Sequence, residues 1–205
     1  METILTARFF DRDAALVAKE LLGKVICRRI DNIWRRAKII ETEAYYLREK
    51  GSHASLGYTE KRRALFMPAG TIYMYYARGG DSLNVSAAGE GNAVLIKSAV
   101  VSEDNSPEAT EAMRRDNTIK NTGKLRSYER LCSGQTVLCG ALGLKVNEWN
   151  GKQFDPLIFY MEDTGYRPSE IAFAPRLGIP KGRDEDLELR FIDVKYLKSS
   201  TKGRI

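Results

Sequence analysis

The chain has 205 residues, of which 43% are hydrophobic and 29% charged, as is usual for one soluble domain with its own core. Its 33 Lys and Arg residues outnumber 27 Asp and Glu residues, and the net charge of +6 favours an anionic partner, with nucleic acid first. Three cysteines without C-x-x-C spacing and a single histidine support neither a zinc site nor a disulfide framework. No stretch reaches the roughly 20 apolar residues of a membrane span, and no signal-peptide pattern is visible, so we expect one cytoplasmic domain over residues 1–205.

The first 45 residues predict a helix followed by a hairpin. Asp11 or Asp13 can cap a helix that runs through Leu22. Two strands follow, 25–30 and 33–45. Asp31-Asn32 between them suits a two-residue turn because both residues tolerate positive φ.

The rest of the chain predicts further strands and two helices. A polar loop over 46–70 comes first, and a loop this long in a compact domain is usually functional. The predicted strands are 71–77, 82–87, 93–100 and, near the end, 157–162, 171–175 and 187–195. The predicted helices are 107–116 and 133–142, the second capped by Ser133 and stopped at Gly143. Because most strands are linked as hairpins, the pattern indicates an α+β fold with a mostly antiparallel sheet flanked by helices.

A pair of carboxylates at the end of the second predicted strand is the first candidate site. Side chains alternate along a strand, so Glu41, Glu43 and Tyr45 project from one face. This face is too acidic for ordinary core, because an unpaired buried carboxylate is costly. The only histidine, His53, follows eight residues after Tyr45, and the group suggests a catalytic pocket. A solvated edge strand with an ion-paired or capping glutamate is the alternative.

Several short motifs follow one another along the chain. They are Glu41-Thr42-Glu43-Ala44-Tyr45, His53, Phe66-Met67-x-x-Gly70-Thr71-x-Tyr73-x-Tyr75, Asn84-Val85-Ser86, Val94-Leu95-Ile96-Lys97, Leu131-Cys132-Ser133-Gly134, and Pro175-Arg176-Leu177-Gly178-Ile179 with Arg190-Phe191. In this order they resemble the alkyladenine (3-methyladenine) DNA glycosylase family, from about Phe9 to about Ser199. A single piece such as Glu-Ala-Tyr is common, whereas this many pieces in the right order are specific.

The resemblance implies a fold and an activity. The fold is one compact domain around a curved antiparallel sheet. The activity is that of a monofunctional DNA glycosylase of base excision repair, which removes alkylated or deaminated purines of the 3-methyladenine, 7-methylguanine, hypoxanthine and ethenoadenine type. The implied partner is double-stranded DNA, with no metal or cofactor, and we expect a monomer.

The implied chemistry gives a role to each charged residue of the candidate site. A base inside the stack must be flipped out before a water can be directed at the sugar C1′. A carboxylate can take the proton of that water and stabilise positive charge on the sugar. Glu43 occupies the position of the family's general base, and we assign Glu41 a structural role. Lys97 stands where the family usually has an arginine, and it would hold the water or the DNA backbone.

Lys97 itself could attack C1′ as a nucleophile, which would add lyase activity. The carboxylate of Glu43 nearby favours its ammonium form instead, so we expect Lys97 to hold charge.

The resemblance also implies a base pocket. Tyr45 and His53 would form one wall and Tyr75 the other, while Asn84 would clash with an exocyclic amino group of unwanted purines. The alternatives are core packing for Tyr75, a surface loop for His53 and an ordinary strand-end polar residue for Asn84.

Contacts with DNA are expected from a wedge and a basic triplet. The family's wedge aligns with Arg78 or, failing that, with its neighbour Tyr76. The triplet Lys61, Arg62 and Arg63 would contact phosphates. The family's Gly-Pro-Ser-Lys-Leu segment reads Gly134-Gln135-Thr136-Val137-Leu138 here and loses its lysine. Two rival functions remain open, a silent member that only binds damaged DNA and a hydrolase of N-glycosides in RNA or nucleotides.

Overall fold

The structure is a computed structural model that describes residues 3–77 and 79–203. Within these residues nine strands form one sheet, and all of its strand pairs are antiparallel. In chain order the strands are Thr3–Ile4 (β1), Val25–Ile30 (β2), Ile33–Tyr45 (β3), Ile72–Ala77 (β4), Gly80–Ser86 (β5), Ala93–Val101 (β6), Phe159–Asp163 (β7), Ile171–Ala174 (β8) and Arg190–Asp193 (β9). Their order across the sheet is β1-β7-β2-β3-β6-β5-β4, and β9 pairs with both β3 and β8.

Helices flank this sheet. In the described part of the chain the α-helices are Ala7–Phe10 (α1), Ala14–Leu21 (α2), Pro107–Asp116 (α3), Gln135–Ala141 (α4) and Val146–Trp149 (α5). Short 3₁₀ helices span Ala54–Leu56, Glu60–Phe66, Tyr128–Arg130 and Val194–Ser199. The predicted α+β class and antiparallel sheet are confirmed, and the sheet is open and uncurled, with β1 and β4 at its two ends. None of the described helices has the length and apolar character needed to cross a membrane.

The local signals in the first 45 residues form as the sequence predicts. The Asp13 carboxylate accepts a hydrogen bond from the backbone N–H of Leu16 at 3.0 Å and caps α2. Asp31 and Asn32 have φ values of 49° and 63° and join β2 to β3. The Asp31-Asn32 turn sets the register of the first hairpin, in which Ile30 pairs with Ile33.

The predicted cap of the later helix is wrong. α4 begins after Gly134, whose φ of 97° requires glycine, and no side chain caps it. The hydroxyl of Ser133 donates instead to the carbonyl oxygen of Ser199 at 2.6 Å. A tertiary partner has therefore replaced the local cap.

β3 is the strand that positions the candidate site. β2 pairs with its first half and β9 with residues Glu41 to Glu43, while β6 follows its other edge. The β3–β6 register shifts here, with Glu41 opposite Ser98 and Thr42 opposite Ile96. Lys97 lies between these two pairs, and its side chain reaches Glu43. Irregular pairing of this kind redirects side chains next to functional sites.

Two hydrophobic clusters support the site. The main core contains the apolar face of α2 and the inner side chains of the sheet. A smaller cluster lies under the 46–70 loop and consists of Ala54, Ala64, Leu65, Tyr73 and Ala93. It fixes the loop that carries His53 against β4 and β6.

Candidate active site

A cavity of about 300 Å³ opens beside the end of β3. Its wall includes Tyr45, His53, Tyr75, Asn84 and Lys97, which are five of the residues predicted from the sequence. They come from β3, the 46–70 loop, β4, β5 and β6, so the fold brings together side chains that are far apart in the chain.

Glu43 lies behind this wall and is fully buried. One carboxylate oxygen, Oε1, accepts from the backbone N–H of Leu177 at 3.0 Å and is 3.3 Å from Lys97 Nζ. The other oxygen, Oε2, accepts from the Tyr45 hydroxyl at 2.7 Å. These contacts compensate for burying the charge. A carboxylate has about four acceptor sites, so one site on Oε2 is left for a further donor.

Tyr45 joins the carboxylate to the cavity. The guanidinium carbon of Arg176 lies 4.5 Å from the centre of the Tyr45 ring, and this guanidinium also donates to the carbonyl oxygen of Ala44 at 2.9 Å. Burial, then the negative charge of Glu43 and the hydrogen bond to it, raises the pKa of Tyr45 well above its ordinary value. The hydroxyl therefore stays protonated and donates to Glu43.

Lys97 is buried and has a second acceptor that the sequence did not predict. Its Nζ donates to Oε1 of Gln135 at 3.1 Å. The amide nitrogen of Gln135 donates to Ser82 Oγ at 2.8 Å and lies 3.5 Å from the Tyr75 hydroxyl. The sequence drew attention to this position only through its departure from the Gly-Pro-Ser-Lys-Leu pattern.

Three aromatic rings lie together in the cavity wall, so the structure places His53 beside Tyr75 rather than across the pocket from it, as the resemblance had implied. His53 Nδ1 is hydrogen-bonded to the Tyr73 hydroxyl at 3.0 Å, and the His53 and Tyr75 ring centres are 4.5 Å apart. Tyr73 is buried in the smaller hydrophobic cluster, whereas Tyr75 is half-buried and packs against that cluster, and both rings border the cavity. Core packing thus applies more fully to Tyr73 than to Tyr75.

The protonation of His53 follows from its surroundings. The residue is exposed on one side, while its ring lies against Tyr73 and Tyr75. Burial of the ring, followed by the positive charges of Arg62 and Arg183, lowers the pKa of His53 below its ordinary 6.5. The imidazole is neutral at physiological pH.

Asn84 is buried and borders the cavity. It lies inside β5 rather than at a strand end and donates from Nδ2 to the carbonyl oxygen of Tyr73 at 3.1 Å.

Glu41 is buried away from the cavity. It accepts from Arg190 Nε at 2.7 Å, Ser98 Oγ at 2.6 Å and the backbone N–H of Thr201 at 2.8 Å. Since β3 lies within the sheet, the alternative of a solvated edge strand does not hold.

Four of the residues predicted to contact DNA lie in the described part of the chain, and three of them are exposed. Lys61 and Arg63 are exposed, whereas Arg62 is half-buried and donates to the carbonyl oxygens of Leu56 and Gly57 at 3.1 and 2.8 Å. Tyr76 on β4 is 67% exposed. Arg78, the first candidate for the wedge, lies outside the described residues.

The other reactive side chains do not contribute to this site. Cys27, Cys132 and Cys139 are buried and free, and burial raises the pKa of the Cys132 thiol to about 12. Over residues 3–77 and 79–203, no three His, Cys, Asp or Glu side chains gather in a way that could hold a metal ion.

Comparison with known proteins agrees with the geometry. A sequence model of the family described as "Methylpurine-DNA glycosylase" matches residues 8–196. A protein from Pseudomonas aeruginosa with the provisional name 3-methyladenine DNA glycosylase is 58% identical over 200 residues, which cover 95% of this chain and 82% of that protein. A Pseudomonas savastanoi protein with the same name is 56% identical over 99% of this chain and 92% of its own length. A Clostridium botulinum protein of that name is 35% identical, and the match covers 85% of this chain and 87% of that protein.

Most of the chain is covered by the family model and by relatives well above 30% identity. The chain therefore belongs to the methylpurine-DNA glycosylase family and is a DNA glycosylase, an enzyme that hydrolyses N-glycosyl bonds.

Proposed function

We propose that the protein is a monofunctional glycosylase that removes alkylated or deaminated purines from double-stranded DNA, with Glu43 as the general base. Its substrates would be of the 3-methyladenine, 7-methylguanine, hypoxanthine and ethenoadenine type. The observation that supports this most is the buried Glu43 carboxylate, held by Tyr45, Lys97 and the Leu177 backbone directly behind an aromatic cavity.

The size of the cavity favours a base over a whole nucleotide. At about 300 Å³ it lies at the lower end of the range for ligand pockets, roughly 300–1,000 Å³. A base in duplex DNA could enter only after rotation out of the stack. Flat rings on the wall, among them His53 and Tyr75, are suited to stack on it. The proposal therefore includes base flipping.

The chemical step would use the free acceptor site on Glu43. A water that donates to Oε2 loses its proton to the carboxylate while its oxygen bonds to C1′. The C1′–N bond breaks and its electron pair goes to the base. Alkylation at a ring nitrogen gives the purine a positive charge, so the alkylated base leaves neutral. A neutral purine such as hypoxanthine leaves as the anion, and the proton that the water has given to Glu43 balances its charge. The negative charge of Glu43 would stabilise positive charge on the sugar in the transition state.

The wall residues would select the base. A neutral His53 does not repel a cationic purine, and the faces of Tyr45 and Tyr75 attract it. Asn84, held by its bond to the Tyr73 carbonyl, would meet the exocyclic amino group of a normal purine. Exposed Lys61 and Arg63, with Tyr76 or Arg78 as the wedge, would hold the flipped-out state on DNA.

The test is Glu43→Gln, which removes the negative charge and the general base but keeps the size and shape of the side chain. Single-turnover excision from a duplex with one hypoxanthine or ethenoadenine should fall at least about a hundredfold, the loss typical of a general base. Affinity for the same duplex should change only slightly, which shows that the variant is folded. Near-normal excision by this variant would refute the assignment.

A panel of substrates with the same lesion base separates this function from its two rivals, a silent DNA binder and an N-glycoside hydrolase of RNA or nucleotides. Single-stranded RNA and free nucleoside with the same lesion base should be cleaved far more slowly than the duplex by the unsubstituted protein. Equal or faster cleavage of either would favour an N-glycoside hydrolase of RNA or nucleotides. Tight binding of the lesion duplex without any cleavage would favour a silent binder.

A further inference from the structure

Gln135 is a buried polar residue of the cavity wall, and its amide contacts three side chains, two of which also belong to that wall. It is the first residue of α4, and the glycine before it is held by a hydrogen bond from its N–H to Ser98 Oγ at 3.0 Å. Its Oε1 is 3.1 Å from Lys97 Nζ. Its Nε2 is 2.8 Å from Ser82 Oγ and 3.5 Å from the Tyr75 hydroxyl. A single amide thus links the Lys97–Glu43 pair to the aromatic wall.

The orientation of this amide is determined by charge. The Lys97 ammonium has only donors, so it requires the oxygen of Gln135 on its side. A rotation of the amide by 180° would place its NH₂ group against the ammonium and lose this hydrogen bond. Ser82, which can donate or accept, would tolerate either orientation. Lys97 therefore fixes Gln135, and Gln135 in turn fixes Lys97.

The ammonium is held by two groups of different kinds. It donates a hydrogen bond to Gln135 Oε1 and forms an ion pair with Glu43 Oε1 at 3.3 Å, and Lys97 borders the cavity. A lysine side chain is flexible, and holding it in one rotamer costs conformational entropy. Without the Gln135 acceptor, the ammonium could turn toward Glu43 and occupy the acceptor site that the water needs.

We propose that Gln135 is a positioning residue for base excision, which orients the Lys97 ammonium beside Glu43 and couples it to Tyr75. This inference rests on the proposed function, because it assumes that Glu43 and Lys97 act on a water at C1′. It predicts an effect on the rate of the chemical step rather than on binding of the lesion.

The first experiment compares Gln135→Met with Gln153→Met. Met keeps the length and volume of glutamine and removes the amide. Single-turnover excision from a duplex with one ethenoadenine should fall about tenfold in Gln135→Met, the equivalent of one hydrogen bond to a charged group. The dissociation constant for that duplex should be little changed. Gln153, whose amide is exposed and donates to Thr71 Oγ1 at 2.7 Å, is the matched control and should leave the rate unchanged.

The second experiment asks whether Gln135 acts through Lys97. In a Lys97→Met background, Gln135→Met should cause no further loss of rate, because neighbouring groups in one network are not additive. An equal loss in both backgrounds, or an unchanged rate in Gln135→Met, would overturn the proposal. If Gln135→Met does not fold, Ser82→Ala tests the same network, since it frees the amide from its second anchor and should lower the rate by a smaller factor.

Failure of this inference can be told apart from failure of the proposed function. Glu43→Gln is measured on the same duplex in parallel. If that variant retains excision, the catalytic assignment fails whatever Gln135 does. If it is inactive while Gln135→Met matches the unsubstituted protein, only the role of Gln135 is refuted.

Discussion

Glu41 and Glu43 lie two residues apart on β3 and are both fully buried, but their surroundings differ. Glu41 is bound by Arg190, Ser98 and the Thr201 backbone, and none of these three residues is part of the cavity wall. All three residues that contact Glu43, namely Tyr45, Lys97 and Leu177, do belong to that wall.

This difference shows what separates a structural carboxylate from a candidate catalytic one. Both are compensated by donors, as a buried charge must be. The Arg190 guanidinium provides a directional, charge-assisted bond deep in the protein, so Glu41 joins β9 to β3. The lysine, the tyrosine and the backbone N–H that contact Glu43 all belong to residues of the cavity wall. A position directly behind that wall, rather than burial or charge, distinguishes Glu43 from Glu41.

The largest expected effect is on stability, at Glu41. Glu41→Gln removes the negative charge of a fully buried ion pair with Arg190, so the free energy of unfolding should fall by about 3–5 kcal/mol. Urea unfolding at equilibrium measures this change. Excision per folded molecule should remain close to that of the unsubstituted protein. A stable Glu41→Gln variant that cannot excise would mean that the two roles are reversed.

The next effect is on rate, at Lys97. Lys97→Met should slow excision about ten- to a hundredfold, as for the loss of a hydrogen bond to a charged group. Both of its contacts, Glu43 Oε1 and Gln135 Oε1, are acceptors, whereas a nucleophile would have to direct a lone pair at the cavity. The product should therefore be an intact abasic strand.

Borohydride added during turnover checks the role of Lys97. No protein–DNA adduct should be trapped if the protein is monofunctional. An adduct that forms with the unsubstituted protein and disappears in Lys97→Arg would identify Lys97 as a nucleophile.

The comparison also shows how far the sequence could predict the site. Local signals such as the Asp13 cap and the Asp31-Asn32 turn depend on neighbouring residues and are correct. The donor from Leu177 to Glu43 is a backbone N–H, which every residue except proline has, and it lies 134 positions away. No sequence pattern can identify such a contact.

Long-range contacts also explain why the sequence did not predict the role of Gln135 and why the predicted Ser133 cap was wrong. The Lys97–Gln135 bond spans 38 positions and depends on the irregular pairing of β3 and β6. Ser133 has the right residue type for a cap, but its hydroxyl binds the distant Ser199 carbonyl. The strand and the two α-helices that were missed, β1, α1 and α5, have two to four residues each and are too short for a periodic signal.

A smaller effect is expected on the salt dependence of DNA binding. Lys61 and Arg63 are exposed, whereas Arg62 between them is half-buried. For about four to six phosphate contacts, the logarithm of affinity should fall against the logarithm of salt concentration with a slope of roughly −4 to −5. Lys61→Ala with Arg63→Ala should reduce this slope by about two, since each exposed cation releases about one counterion. Arg62→Ala is the matched control and should leave the slope unchanged, because its guanidinium binds Leu56 and Gly57 carbonyls. A slope near zero for the unsubstituted protein would exclude duplex DNA as its partner.

The smallest expected effect concerns His53 and pH. Burial against the tyrosines and the charges of Arg62 and Arg183 lower the pKa of His53 below 6.5 in the folded protein. As pH falls below 6.5, an unfolded chain would take up the proton first, so His53 should reduce stability in acid rather than add to it. Affinity for a cationic alkylpurine should be flat from neutral pH upward, then decline below the lowered pKa as imidazolium forms. His53 is the only histidine, so its NMR titration is unambiguous, and Arg183→Met should raise its pKa. A measured pKa of 6.5 or above would contradict the neutral His53 that we infer in the cavity wall.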